Sequence, residues 1–245
     1  MMWDAAPPWV VGLGWNAGLA AIARLLPRQV LTPAGLVHAV GLGALLWGCL
    51  GPRGYSLMVV YLVAGSAVTY VGLDIKKAKG IAEARDGARG PANLWGAAIG
   101  GAVCALGYAI APAPWWLVGY VGSIATKLAD TTASEVGKAY GRTTVSSVTW
   151  QPVPPGTEGA VSLEGTGAGL GAAVLIALLG WGLGLLASPL AVGICVLAAL
   201  VATSLESWVG ATWQGQVPWL TNEMVNGLNV LTGAAIAGGL AYGLG

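Results

Sequence analysis

The chain has 245 residues, of which 56% are hydrophobic and only 9% charged, and its mean hydropathy is +0.73; this is the composition of an integral membrane protein and excludes an ordinary soluble domain. A formal net charge of +1 provides no long-range field to gather nucleic acid, so charge chemistry has to come from local clusters. Cys49, Cys104 and Cys195 each lie inside an apolar run without ligand-like spacing, which speaks for small buried hydrophobes and against a disulfide framework or a thiolate metal centre.

In chain order, apolar segments recur at 9–26, 34–50, 55–73, 94–110, 115–126, 166–187, 189–205 and 226–244, most of them close to the ~20 residues that cross a bilayer. The expectation is an all-α, polytopic membrane bundle of about eight spans, one domain over residues 1–245, with catalytic loops on the cytoplasmic side. No cleavable signal is expected, because Met1 to Val10 lacks a basic n-region. The 115–126 segment is short and is read either as a half-span or as the start of a helix that continues into the polar stretch behind it. Glycines four apart, Gly96/Gly100 and Gly180/Gly184, allow close helix approach. Arg24, Arg28, Lys76, Lys77, Lys79, Arg85, Arg89, Lys127, Lys138 and Arg142 all fall in alternate loops and only Arg53 falls opposite, which puts the charged loops in the cytoplasm. The acids, except Asp4, share that side.

Four polar segments interrupt the apolar pattern. KKAKGIAEARDGARGPANLWG (Lys76 to Gly96) reads as a positive-inside anchor or as a cationic site. In KLADTTASEVGKAYGRTT (Lys127 to Thr144), helical geometry gathers Lys127, Asp130, Thr131, Ser134, Glu135, Lys138 and Arg142 within an arc of about 140°. A solvated amphipathic helix laced with ion pairs would account for the charges but not for the hydroxyls. Asp130 and Glu135 are hard oxygen ligands of the kind Mg²⁺ takes, and the neighbouring cations suit a polyphosphate. VPPGTEGAVSLEGTGAG (Val153 to Gly169) surrounds Glu158 and Glu164 with glycines that can turn N–H groups toward an anion, although a flexible re-entry loop uses similar residues; no Walker A motif occurs. SLESWVGATWQGQVPWLTNEMVNGLN (Ser204 to Asn229) carries Glu206 and Glu223 and aligns Asn222, Asn226 and Asn229 on one helical face, as interhelical glue or as a polar site.

Taken in order, GIAEARDGARGPANLWG, TKLADTTASEVGKAYG, VPPGTEGAVSLEGT, ESWVGATWQ and WLTNEMVN resemble the phytyl phosphate kinase family of tocopherol biosynthesis, found in plastids and cyanobacteria. The resemblance covers Lys76 to Asn229; the first three spans match only in hydrophobicity. It implies transfer of the γ-phosphoryl group of a nucleoside triphosphate, CTP by expectation, to phytyl monophosphate. The implied setting is the cytoplasmic face of a cyanobacterial-type plasma or thylakoid membrane, with nucleotide, isoprenyl phosphate and membrane lipid as partners. On this implication Asp130 and Glu135 bind Mg²⁺, with Glu158 or Glu223 as a further ligand. Lys127, Lys138 and Arg142 hold nucleotide phosphates beside Gly156, Thr157, Asn222 and Asn226, and Lys76, Lys79, Arg89 and Asn93 meet the lipid phosphate. His38, in an apolar span, is read as structural. The rivals are a polyprenol or phytol kinase, a cytidylyltransferase and, outside enzymes, a secondary transporter or a scaffold that binds lipid head groups. A phosphate monoester needs no base at neutral pH whereas an alcohol does, so the two cationic sets favour a monophosphate acceptor.

Overall fold

The structure is a computed structural model that describes residues 7–25, 29–82 and 88–244. Asp4, Arg28, Glu83, Arg85 and Asp86 lie outside them. The chain forms α1 (Pro8–Ala23), α2 (Pro33–Thr69), α3 (Leu73–Ala78), α4 (Pro91–Ile110), α5 (Pro114–Tyr140), a two-stranded antiparallel pair β1 (Thr144–Ser146) and β2 (Ala160–Ser162), α6 (Leu163–Gly182), α7 (Pro189–Thr212) and α8 (Asn222–Leu244). Five helices begin at proline, Pro8, Pro33, Pro91, Pro114 and Pro189, where a missing N–H costs nothing and the fixed φ is already helical. Thr32, Ser162 and Ser188 cap α2, α6 and α7 through their hydroxyls, which accept from Gly35 N, Gly165 N and Ala191 N at 3.1, 3.1 and 3.3 Å.

Among the described residues five helices, α2, α4, α6, α7 and α8, are long and apolar enough to cross a membrane. The separate apolar segments 34–50 and 55–73 fall in α2, except for the last four residues beyond Thr69, and α2 departs from helical geometry at Gly51 (φ 66°) just before Pro52. A residue with positive φ followed by proline breaks a helix by both available means. The two halves return to the same end of the bundle. A Cβ at Gly35 would lie 2.6 Å from the Arg89 carbonyl, and one at Gly65 would lie 3.0 Å from its Nη2, so α2 is a helical hairpin turning at Gly51. At the far end Arg53 lies against the backbone at Gly184, between α6 and α7.

The 115–126 segment is the first half of α5, a 27-residue helix that runs unbroken into the polar stretch. α5 is the axis of the bundle: it packs against α2, α4, α6, α7 and α8 and buries Tyr120, Val121, Ile124, Ala125 and Leu128. Lipid tails give no hydrophobic drive between helices, so contact has to come from close packing. Glycines supply it. A Cβ at Gly165 or Gly169 of α6 would lie 2.5 or 2.8 Å from the Ala133 or Ala129 carbonyl of α5, and a Cβ at Gly96 or Gly100 of α4 would lie 2.7 or 2.5 Å from the Glu223 or Val230 carbonyl of α8. These contacts bring the polar half of α5 to one end of the bundle, beside the ends of α2 and α7 and the starts of α4, α6 and α8.

Candidate active site

At that end lies a cavity of about 490 Å³ walled by α2, α4, α5, α7, α8 and the loop between β1 and β2. Lys127, Asp130, Thr131, Ser134, Glu135 and Lys138 enter it from α5, the face that helical periodicity picks out. The loop closes over them because β1 and β2 pair in register, Thr144 with Ser162 and Ser146 with Ala160. It is fixed to α7 at Gly159 (φ +68°), whose backbone nitrogen lies 3.2 Å from where a Cβ on Gly210 would stand. Pro155, Gly156, Thr157 and Glu158 thereby line the cavity.

The charges are arranged in two ways. Glu135 is 2% exposed and Lys76, from α3, is fully buried. Glu135 Oε2 pairs with Lys76 Nζ while Oε1 faces Lys138 Nζ at 3.6 Å, and Lys76 also donates to the Thr69 carbonyl at 2.8 Å. With both oxygens facing lysines, Glu135 aims Lys138 into the cavity. Oε2 is taken up by Lys76, so the metal-ligand role expected from sequence is left to Oε1, which faces the cavity beside Lys138. Lys127 Nζ, in contrast, donates to Asp130 Oδ2 at 2.6 Å and to Asn226 Oδ1. Glu206 from α7 lies within hydrogen-bonding reach of Asp130 and within electrostatic reach of Lys127 and Glu158. Lys127 is also within electrostatic reach of Tyr61 on α2. On the α2/α4 side, Arg89 Nη1 donates to Tyr61 Oη at 3.0 Å, and Asn93 donates to Glu223 Oε1 at 3.1 Å.

Lys127, Asp130, Glu135, Lys138, Gly156, Thr157, Glu158, Asn222, Asn226, Arg89, Asn93 and Glu223 thus share one cavity. Three expected residues do not line it. Lys76 is buried behind Glu135. Lys79, at the C-cap of α3, is turned to the Lys138 carbonyl at 3.2 Å. Arg142 follows α5, has a side chain 91% exposed and faces Glu164 at 3.9 Å. His38 accepts from Trp95 Nε1 at 3.1 Å, away from the cavity. Asn229 is 3% exposed and lies outside the lining.

Tyr61 lines the cavity without having been singled out by the sequence, and Glu206, named in its polar segment, lines it without having been given a role. Glu206 carried a readable signal, a carboxylate at the end of a long apolar run; Tyr61 carried none, because an aromatic in a span is ordinary core. Among the described residues no three acidic, histidine or cysteine side chains converge to hold a metal by themselves. Asp130, Glu206 and Glu158 nevertheless all bring hard oxygens to the one cavity, with Lys127 paired to Asp130. That donor set suits Mg²⁺, which prefers one or two carboxylates completed by water and phosphate oxygens over an all-protein cage.

The model of the integral membrane protein family DUF92 matches residues 16–234. An uncharacterized membrane protein of Synechocystis is 53% identical over 236 residues, covering 95% of this chain and 91% of that protein. The chloroplastic protein VTE6 of Arabidopsis thaliana is 39% identical over 241 residues, 96% of this chain and 72% of that one. An uncharacterized membrane protein of Methanocaldococcus jannaschii is 32% identical over 220 residues, 89% of each. No solved structure is significantly similar. With the match spanning nearly the whole bundle and every wall of the cavity, the chain belongs to the DUF92 family of integral membrane proteins.

Proposed function

We propose that this protein is a membrane-bound isoprenyl phosphate kinase that converts phytyl monophosphate to the diphosphate with a nucleoside triphosphate, CTP by preference. The observation that carries this reading is the division of one cavity into an acid-rich wall, Asp130, Glu206 and Glu158, and a cationic wall at Arg89, with Lys127 between them. Phosphoryl transfer requires little more than positioning and charge neutralisation. The motif resemblance to the phytyl phosphate kinase family and the 39% identity to the chloroplastic protein VTE6 support the same chemistry.

In this mechanism the acid-rich wall and the Pro155–Gly159 turn hold the triphosphate, while Lys138 and Lys127 neutralise its oxygens. A Mg²⁺ bound with the nucleotide at Asp130 and Glu206 would supply Lewis-acid stabilisation of charge on the β- and γ-phosphates. An oxygen of the lipid monophosphate forms the new bond to the γ-phosphorus, and the bond to the β-bridging oxygen breaks, its electron pair leaving with the nucleoside diphosphate. Lys127 lies where charge passes from one side to the other, tethered by Asp130 and Asn226. No base is needed, since the attacking phosphate is already largely dianionic.

The α2 hairpin taken as two passes, with α1, α4, the apolar half of α5, α6, α7 and α8, supports an eight-pass topology whose charged end faces the cytoplasm of a plasma or thylakoid membrane. The test is incubation of the purified protein with Mg²⁺, γ-labelled CTP or ATP, and a panel of isoprenyl alcohols and monophosphates, followed by separation of products. Phytyl diphosphate formed from phytyl phosphate and CTP is the expected result. Equal or faster use of phytol would make the protein an alcohol kinase, a cytidylyl-lipid product would make it a cytidylyltransferase, and no transfer at all would return it to the transporters and scaffolds.

A further inference from the structure

We infer that the Tyr61 hydroxyl is a direct contact for the acceptor phosphate, forming with the Arg89 guanidinium a cradle that selects a phosphomonoester over a free alcohol. The inference rests on the kinase reading for the identity of the acceptor and on geometry for the site.

Arg89 is held at both ends. Its backbone is locked to the segment before α2, Arg89 N donating to the Val30 carbonyl at 2.9 Å and Thr32 N to the Arg89 carbonyl at 3.0 Å. Its guanidinium donates to Tyr61 Oη at 3.0 Å, with Cζ 5.5 Å from the Tyr61 ring centroid. Gly65, one turn further along α2, leaves the space the guanidinium occupies, since a Cβ there would stand 3.0 Å from Nη2. Among the described residues no carboxylate pairs with Arg89. A fixed guanidinium on a cavity wall, paired with none of the described carboxylates, is a site for an anion.

The direction of the tyrosine bond decides the role of Tyr61. Its oxygen accepts from Arg89, so its own O–H is left to donate, and the residue is 4% exposed with the cavity on one side. Arg89 has further N–H groups beyond the one spent on Tyr61. The pair therefore presents several donors and no acceptor apart from the lone pair already in use, which matches a phosphate dianion. An alcohol oxygen can satisfy at most one of these donors and leaves the rest unpaired, the situation in which polar sites reject an analogue most strongly. Tyr61 lies eight residues before the end of α2 at Thr69, about 12 Å along the helix axis, a depth that an amphiphile reaches with its tail still among the helices.

Tyr61→Phe keeps the ring and removes only the donor. Steady-state kinetics with phytyl monophosphate and CTP should show the acceptor KM raised about 10- to 100-fold, the range for a hydrogen bond to a charged group, with kcat and the CTP KM within about twofold. Gly65→Ala, which crowds the guanidinium, should move the same parameter. Binding of labelled phytyl monophosphate without nucleotide should weaken in parallel. An unchanged acceptor KM and undiminished binding in Tyr61→Phe would overturn the cradle, as would a rise confined to the CTP KM. The binding measurement separates this inference from the kinase reading: a wild-type protein that binds phytyl phosphate, loses that binding in Tyr61→Phe and transfers nothing would sink the kinase and keep the cradle.

Discussion

Glu135 has its two carboxylate oxygens directed at two lysines, so its removal acts on the fold before it acts on chemistry. Glu135→Gln would leave the charge of Lys76, fully buried, facing a neutral amide and the Thr69 carbonyl, and an uncompensated buried charge costs about 3–5 kcal/mol. The expected outcome is a clear drop in the melting temperature of the detergent-solubilised protein, with most of it recovered in Lys76→Met/Glu135→Gln, where neither charge remains. A Glu135→Gln protein as stable as wild type would refute the pairing. Asp130→Asn and Glu206→Gln differ in kind. Each removes charge from the acid-rich wall at constant volume, so turnover should fall about 100-fold or more while the melting temperature holds; wild-type turnover in both variants would remove the acid wall from the mechanism. The sequence pattern could not separate these two classes of acid. Periodicity put Asp130 and Glu135 on one face, but which of them meets a lysine from another helix depends on how α3 docks, and six residues of α3 carry no pattern of their own.

Among the elements, α5 and α2 show where hydropathy ends as a guide. The apolar half of α5 is too short to be read alone, and its continuation is visible only because the charges behind it keep the 3.6-residue period. The α2 hairpin was legible as two segments because Gly51 and Pro52 interrupt the apolar run, while the return of its ends to Arg89 is a tertiary fact. The spacing of small residues was informative at Gly96/Gly100. The pair that seats α6 on α5, Gly165 and Gly169, lies in a stretch whose glycines also read as a phosphate-binding or flexible loop. Here packing explains them: Gly165 N is taken by the Ser162 hydroxyl, and both glycines face α5 carbonyls. Gly169→Ala should therefore cost about 1–3 kcal/mol by overpacking, read as a lower melting temperature. Because α6 follows β2 directly, the displacement should also lower turnover. Gly171, which has open space around it, serves as the control, and a Gly169→Ala protein as stable as Gly171→Ala would contradict the α5–α6 contact.

At the scale of the whole molecule, orientation links the fold to the supply of substrate. The cavity, the pair of strands and the ends of α2, α5 and α7 share one end of the bundle, while Arg53 and Gly184 share the other. A nucleoside triphosphate is a cytoplasmic solute, and basic residues near span ends are retained on the cytoplasmic side, so the proposed kinase reading and the charge pattern both predict that the cavity end faces inward. The acids follow because they belong to the cavity; the orientation rule itself gives them no preference. Single cysteines test this directly, in a background where Cys49, the one native cysteine that is not buried, is replaced by serine. A membrane-impermeant thiol reagent should reach Glu158→Cys only in inverted vesicles or opened cells, and Arg53→Cys only from the outside, since Arg53 is exposed at the hairpin turn. Nucleotide with Mg²⁺ should slow labelling at position 158, which lines the cavity, and leave position 53 unaffected. Labelling of both positions from one side would break the hairpin and the topology together. Labelling of position 158 from outside would keep the fold but separate the cavity from its nucleotide, leaving the acid and cationic walls without a phosphoryl donor to act on.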